Sequence, residues 1–251
     1  MQARRWMTIS AAFAATFAAA FAFGQAKEIR IAFVYDKTGP LEAYVKQTQT
    51  GFMMGLDYAT GGTLEIAGKK IKVIERDSQG KPDVAKSQLA AAYADDKADL
   101  AVAATGSGGT LAMLPVAEEY KKILVVEPAV ADAITGDKWN KYIFRTARNS
   151  SQDAISNAVA QDIAGVNIAT LGQDNAFGRD GVKAFKAAIK KANIVFEEYL
   201  PAATFLLWPY LLTTPALRLA VPSPPSKGLF LLNTVSSTFV PSLRRSTCSK
   251  S

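Results

Sequence analysis

The chain has 251 residues, of which 49% are hydrophobic, 20% charged and 10% aromatic. That balance excludes a disordered or collagen-like chain and supplies core material for one large domain or two small ones. There is no histidine, the single cysteine is Cys248, and the net charge of +7 comes from the two ends, because residues 27–198 carry equal numbers of basic and acidic side chains. Histidine-based triads, His or Cys metal sites and internal disulfides are therefore excluded, no cofactor or metal is expected, and no basic stripe marks a nucleic-acid surface.

Residues 1–26 read as a secretory signal peptide. Arg4 and Arg5 precede an apolar run from Met7 to Phe23, and Gly24 and Ala26 supply the small residues that a signal peptidase needs. The run is shorter and less hydrophobic than a membrane span requires. The mature protein is thus expected to begin near Lys27, outside the cytoplasm.

From there short β-rich runs alternate with amphipathic helical patterns. Glu28–Tyr35 predicts a strand buried on both faces, and Leu41–Ala59 a helix ended by Gly61-Gly62. Leu64–Ile66 and Lys70–Glu75 flank Gly68 as a hairpin. Pro82–Asp95 predicts a helix with proline in its first turn. A strand follows at Leu100–Ala104, a helix at Ser107–Tyr120 and a strand at Ile123–Val126. Tyr142–Arg145 reads as extended and Ser150–Ile163 as helical. The series closes with strand Val166–Leu171, helix Ala176–Ala192 and strand Ile194–Glu198. Such alternation implies right-handed crossovers and a largely parallel sheet. Ligands of such sheets sit off the carboxyl ends of the strands, which points to loops 36–44, 77–81, 103–109, 127–135 and 172–178.

The last fifty residues have a different character. Residues 199–251 hold no Asp or Glu and seven of the eleven prolines. The prolines interrupt every apolar run, so neither helical nor alternating periodicity survives. Pro209, Pro215 and Arg218 count against a membrane span over 204–221. Residues 204–251 are expected to be an aberrant, poorly packed tail, of the kind a frame change near Ala203 would produce.

The loop Ala103-Ala104-Thr105-Gly106-Ser107-Gly108-Gly109 joins a buried strand to a helix. It nearly fits a nucleophile elbow around Ser107, but no histidine is present to take the serine proton. It lacks the lysine of a phosphate-binding P-loop and misses the glycine spacing of the dinucleotide fingerprint. Two readings stay open. In one, Ser107 is the N-cap, and its hydroxyl and the N–H groups of Gly108 and Gly109 grip a carboxylate. In the other, this is a plain helix start whose glycines serve packing alone. Two adjacent acid pairs, Asp95-Asp96 and Glu118-Glu119, diverge around their helices and read as solvated faces rather than as acid–base machinery, so no enzyme is expected.

Residues 27–198 resemble the type I periplasmic binding proteins, specifically the leucine/isoleucine/valine-binding family that serves ABC importers. The resemblance is carried by Ile29–Phe33 with Thr38-Gly39-Pro40-Leu41, by Ala59-Thr60-Gly61-Gly62, by Ile71–Ile74 with Asp77-Ser78, and by Pro82-Asp83-Val84-Ala85. It continues through Ser107-Gly108, Pro128-Ala129-Val130-Ala131, Tyr142–Thr146 and Asp174-Asn175-Ala176-Phe177-Gly178. It implies an α/β fold of two Rossmann-like lobes with parallel sheets, lobe one over 27–143 and an incomplete lobe two over 144–203. The implied function is that of a solute-binding protein for a hydrophobic amino acid, branched-chain or aromatic, or a related carboxylic acid. Its partner would be the importer's membrane permease. A small-molecule sensor of the same fold, or a non-functional remnant, is the alternative.

The resemblance assigns the Ser107 hydroxyl and backbone groups of Ala129 and Ala131 to the ligand carboxylate, and Thr105, Gly108 and Val130 are further ligand-binding candidates. Tyr44 and Phe177 would close on the apolar part from opposite lobes. Arg148 stands where amino-acid binders of the family tend to place an acid for the ammonium, which leaves two readings open: a cation for an aromatic acid lacking an amino group, or a solvated loop residue. If the tail stands as written, apolar surface is left open, and poor solubility with weak ligand binding is expected.

Overall fold

β1 (Ile29–Tyr35) runs through the middle of a six-stranded sheet, and Ala32, Phe33 and Val34 along it are fully buried. The computed structural model of the protein describes residues 28–201 and the backbone of 230–234. The predicted signal peptide and nearly all of the predicted tail lie outside the described residues.

The first sheet has the order β2-β3-β1-β4-β5-β6, with β2 at Glu65–Ile66, β3 at Lys69–Asp77, β4 at Leu100–Ala104, β5 at Leu124–Val126 and β6 at Ile143–Arg145. All pairings are parallel except the β2–β3 hairpin around Gly68, as the alternating pattern predicts. Helix α1 (Glu42–Thr60) covers one face. There Phe52 stacks on Phe33 at 4.8 Å, and Phe33 in turn meets Tyr35 at 5.0 Å. Burying a ring such as Phe33 is worth about 2–3 kcal/mol. Helices α2 (Pro82–Ala94) and α3 (Ser107–Tyr120) cover the other face, and Leu89, Tyr93, Met113 and Leu114 fill the space beneath them.

Pairing of β6 with β5 runs from Leu124↔Ile143 to Val126↔Arg145. The whole of β6 therefore belongs to the first sheet, and the chain leaves that sheet after Arg145. The crossing leads into α4 (Ser150–Gln161). Asn149 caps this helix in a reciprocal box, taking the Gln152 N–H at 2.8 Å while Gln152 receives the Asn149 N–H at 2.8 Å.

The second sheet is β8-β7-β9, all parallel, with β7 at Asn167–Gln173, β8 at Asn193–Leu200 and β9 at Phe230–Thr234. No element was expected within the tail; the β9 backbone is nevertheless paired along β7. Helix α5 (Ala176–Ala188) lies against α4, and Val182 and Phe185 on its buried side repeat at helical spacing. Ala154, Ala158, Ile168, Phe185 and Ile189 form the core of this lobe. Among the described residues no helix is long and apolar enough to cross a membrane.

Candidate functional site

Four of the loops selected from the sequence lie where strands of the first sheet end, and the fifth, 172–178, lies at the end of β7 in the second. β4 delivers Thr105 and Gly106 into α3, and the first intrahelical bond runs from the Thr110 N–H to the Gly106 carbonyl at 3.0 Å. Gly106 is therefore the N-cap and Ser107 the first helical residue, not the cap expected from the sequence. The N–H groups of residues 107–109 point out of the helix end, as helix geometry requires.

Ser107 is 4% exposed and turns its side chain sideways. Its Oγ accepts a hydrogen bond from the Ala131 N–H at 3.2 Å. The Ala131 carbonyl accepts from Arg145 Nη1 at 2.8 Å, and Arg145 also donates to the Thr135 hydroxyl. The N–H and the carbonyl of Ala131 thus each have a hydrogen-bond partner within the protein. Burial holds the Arg145 guanidinium below its usual pKa, and the nearby Asp132 works in the opposite direction. The bonds give residues 129–131 a fixed path. Ala129, Val130 and Ala131 are all buried, and the Glu127–Pro128 peptide leading into them is cis.

This loop also holds the start of the second lobe. Val130 accepts from both the N–H and the hydroxyl of Ser150, at 2.8 and 3.1 Å. Asp132, in a short 3-10 turn at Asp132–Ile134, accepts from the N–H of Ser151 at 3.0 Å and from its hydroxyl at 2.7 Å. One segment thus touches α3 on one side and α4 on the other.

Thr105 is buried, and its hydroxyl donates to Asp36, a residue that sequence reasoning missed. Gly108 and Gly109 divide the two readings left open for their loop. A Cβ on Gly109 would lie 2.7 Å from Thr105 Oγ1 and 3.0 Å from Thr105 Cγ2, so this glycine is required by packing. A Cβ on Gly108 would meet only Pro82 Cγ, at an ordinary 3.6 Å.

In the second lobe the turn 174–178 is built as its residue types dictate. Asn175 caps α5 by accepting the Gly178 N–H at 3.0 Å. A Cβ at position 178 would fall 2.2 Å from the Gln173 carbonyl oxygen, so only glycine fits. Arg179 pairs with Asp174 at 2.5 Å and lies 4.6 Å above the Tyr199 ring. Burial and the neighbouring Glu197 push the Tyr199 phenol up to about 12. Phe177, in the first turn of α5, is half-buried, and α3 and α5 approach each other across the two lobes. Tyr44, near the start of α1, is exposed.

Arg148 is exposed, and its Nε reaches both carboxylate oxygens of Asp153, at 2.7 and 2.9 Å. Its charge is matched there by Asp153. Asp96 is likewise paired, with Arg76 at 2.6 Å, instead of forming a purely solvated face. Two cavities lie away from the Ser107 turn. One of about 240 Å³ is bordered by Leu111, Pro115, Glu118 and Lys138, and one of about 450 Å³ by Phe33, Phe52, Val102 and Val125. Among the described residues no cluster of acids or thiols is arranged to hold a metal ion.

Residues 28–204 match the family described as periplasmic binding protein. The chain belongs to that family. A crystal structure of an ABC-type branched-chain amino acid transporter from Rhodopseudomonas palustris is 53% identical to it, with a TM-score of 0.60, over 84% of this chain and 56% of that one. The Leu/Ile/Val-binding protein homolog 3 of Brucella melitensis is 27% identical over 76% of this chain and 51% of its own length. A solute-binding protein of an ABC transporter from Rhodopseudomonas palustris, in complex with 3,4-dihydroxybenzoic acid, is 26% identical, with a TM-score of 0.60, over 69% of this chain and 47% of that one. The chain spans about half the length of these relatives.

Proposed function

We propose that this periplasmic binding protein is the solute-binding component of an ABC importer, working in the periplasm. Its ligand would be a hydrophobic amino acid or a related carboxylic acid, held between the two lobes. The observation that carries this reading is the convergence at Ser107. The serine is the first residue of α3, it is tied to the 129–131 loop, and that loop is in turn bonded to the first helix of the second lobe. Its Oγ accepts from Ala131 and keeps its own proton, which is the donor a ligand carboxylate needs. The outward N–H groups of residues 107–109 add a positive helix end beside it.

Because Ser107 is buried, the ligand enters only when α3 and α5 separate. Contacts to both lobes then favour the closed arrangement, which is the state a permease would recognise. Tyr44 and Phe177 are the apolar contacts from opposite lobes. The names of the relatives support two ligand classes, branched-chain amino acids and a hydroxylated benzoic acid.

A thermal-shift series on the full chain with leucine, phenylalanine and 3,4-dihydroxybenzoate tests the reading. A ligand that binds only the folded state raises the melting transition with the logarithm of its concentration. A rise with one of the three, abolished in Ser107→Ala, is expected. No rise with any of them at millimolar concentration overturns the proposal.

A further inference from the structure

Asp36 follows β1 directly and is completely buried. Three donors converge on its carboxylate from two separate loops. The hydroxyls of Ser78 and Thr105 both donate to Oδ1, and the Gly106 N–H donates to Oδ2 at 3.1 Å. Ser78 stands just past β3 and Thr105 just past β4, and β3, β1 and β4 are neighbours in the sheet. The carboxylate therefore pins the ends of three adjacent strands at one point. Among the described residues no lysine or arginine pairs with it, so the hydrogen bonds alone offset its loss of water.

Gly106 is the N-cap of α3, and the direction of its N–H fixes how the first helical turn leaves the strand. We propose that Asp36 is the positioning residue of the ligand turn. By holding Thr105 and Gly106 it sets the orientation of Ser107 and of the outward N–H groups of residues 107–109 without touching the ligand. This inference rests on the reading of the Ser107 turn as the ligand contact. A carboxylate suits the place because both oxygens accept. An asparagine would either set its NH2 against the Gly106 N–H or turn it toward two hydroxyls that now donate.

The test uses Asp36→Asn in the full chain, with Thr105→Val as a milder variant that removes one donor while preserving shape. Two readouts are taken: amide hydrogen exchange, and the Kd for leucine, phenylalanine and 3,4-dihydroxybenzoate. In Asp36→Asn the Gly106 amide should exchange at least about tenfold faster while Val34 and Val102 in the strands keep their protection. The Kd of whichever acid binds the unaltered chain should rise by about tenfold or more. Thr105→Val should move both in the same direction by less, and it decides the matter should Asp36→Asn fail to fold. Unchanged exchange at Gly106 overturns the inference, as does faster exchange with an unchanged Kd. If the unaltered chain binds none of the three acids, the proposed function fails, and the exchange readout still decides whether Asp36 holds the turn.

Discussion

Ser107 Oγ and the Ala131 N–H are joined across 24 residues by a 3.2 Å hydrogen bond in which the serine is the acceptor. The bond makes the start of α3 and the 129–131 loop one rigid unit, because the Ala131 peptide is held at its other end by Arg145. Ser107→Ala removes the acceptor and leaves a buried N–H without a partner. The expected loss is about 1–3 kcal/mol in a urea titration. A loss below about 0.5 kcal/mol, the range of ordinary surface changes, would mean that the bond does not hold the loop.

The two glycines after Ser107 should respond oppositely to alanine. In Gly109→Ala the new Cβ meets Thr105, whose hydroxyl is tied to Asp36 and cannot swing away. Overpacking of this kind destabilises by about 1–3 kcal/mol. Gly108→Ala has room, and alanine favours the helix, so its effect should be neutral or stabilising by up to about 1 kcal/mol. Equal losses at the two positions, read from melting curves, would contradict the packing described for Thr105.

Asp162 predicts a pH dependence. Its Oδ1 accepts the N–H groups of Lys190, Lys191 and Ala192, at 3.0, 2.6 and 2.9 Å. The Ala192 bond has the largest effect, burial opposes it, and the Lys191 and Lys190 bonds reinforce it, so that its carboxyl is held below the usual aspartate range. Its folded pKa is thus lower than its unfolded one, so the unfolded chain binds more protons in that window. The contribution is complete above about pH 4, the ordinary aspartate value, and is lost as the pH falls through the lower folded value. Urea midpoints taken from about pH 5 down to about pH 3 should fall less steeply in Asp162→Asn than in the unaltered chain. Parallel slopes would remove Asp162 from the acid response.

The same residue explains one limit on what was legible in the sequence. Helical periodicity continues to Ala192, yet α5 ends at Ala188, because Asp162 draws the next N–H groups out of the helical path from 28 to 30 residues away. Where local signals act alone, the elements fall where the sequence puts them. Strand Leu100–Ala104 and helix Ser107–Tyr120 coincide with their predicted bounds, since the intervening Thr105-Gly106 turn breaks the strand locally. Asp36 was invisible for the converse reason: its donors lie 42 and 69 residues away, and a lone aspartate after a strand carries no local pattern. The exchange of Ser107 from cap to first helical residue has a similar origin, because its hydroxyl is used by a loop 24 residues on and not by its own helix.

The last prediction concerns α4. Ile155 is 54% exposed, Val159 78% and Ile163, just past the helix end, 55%. Ile155 and Val159, one turn apart, form an exposed apolar stripe about 100° round the helix from Ala154 and Ala158, which face the core, and Ile163 follows just beyond the helix end. An unbroken stripe on a water-exposed helix promotes association between molecules. Val159→Lys interrupts it in the C-terminal half of the helix, where a cation also suits the helix dipole. Because the side chain is so exposed, the melting transition should stay within about 0.5 kcal/mol of the unaltered chain. Light scattering at rising concentration should show later onset of association in the variant. A substantial loss of stability without any change in scattering would instead place Val159 against another part of the same molecule and refute the open stripe.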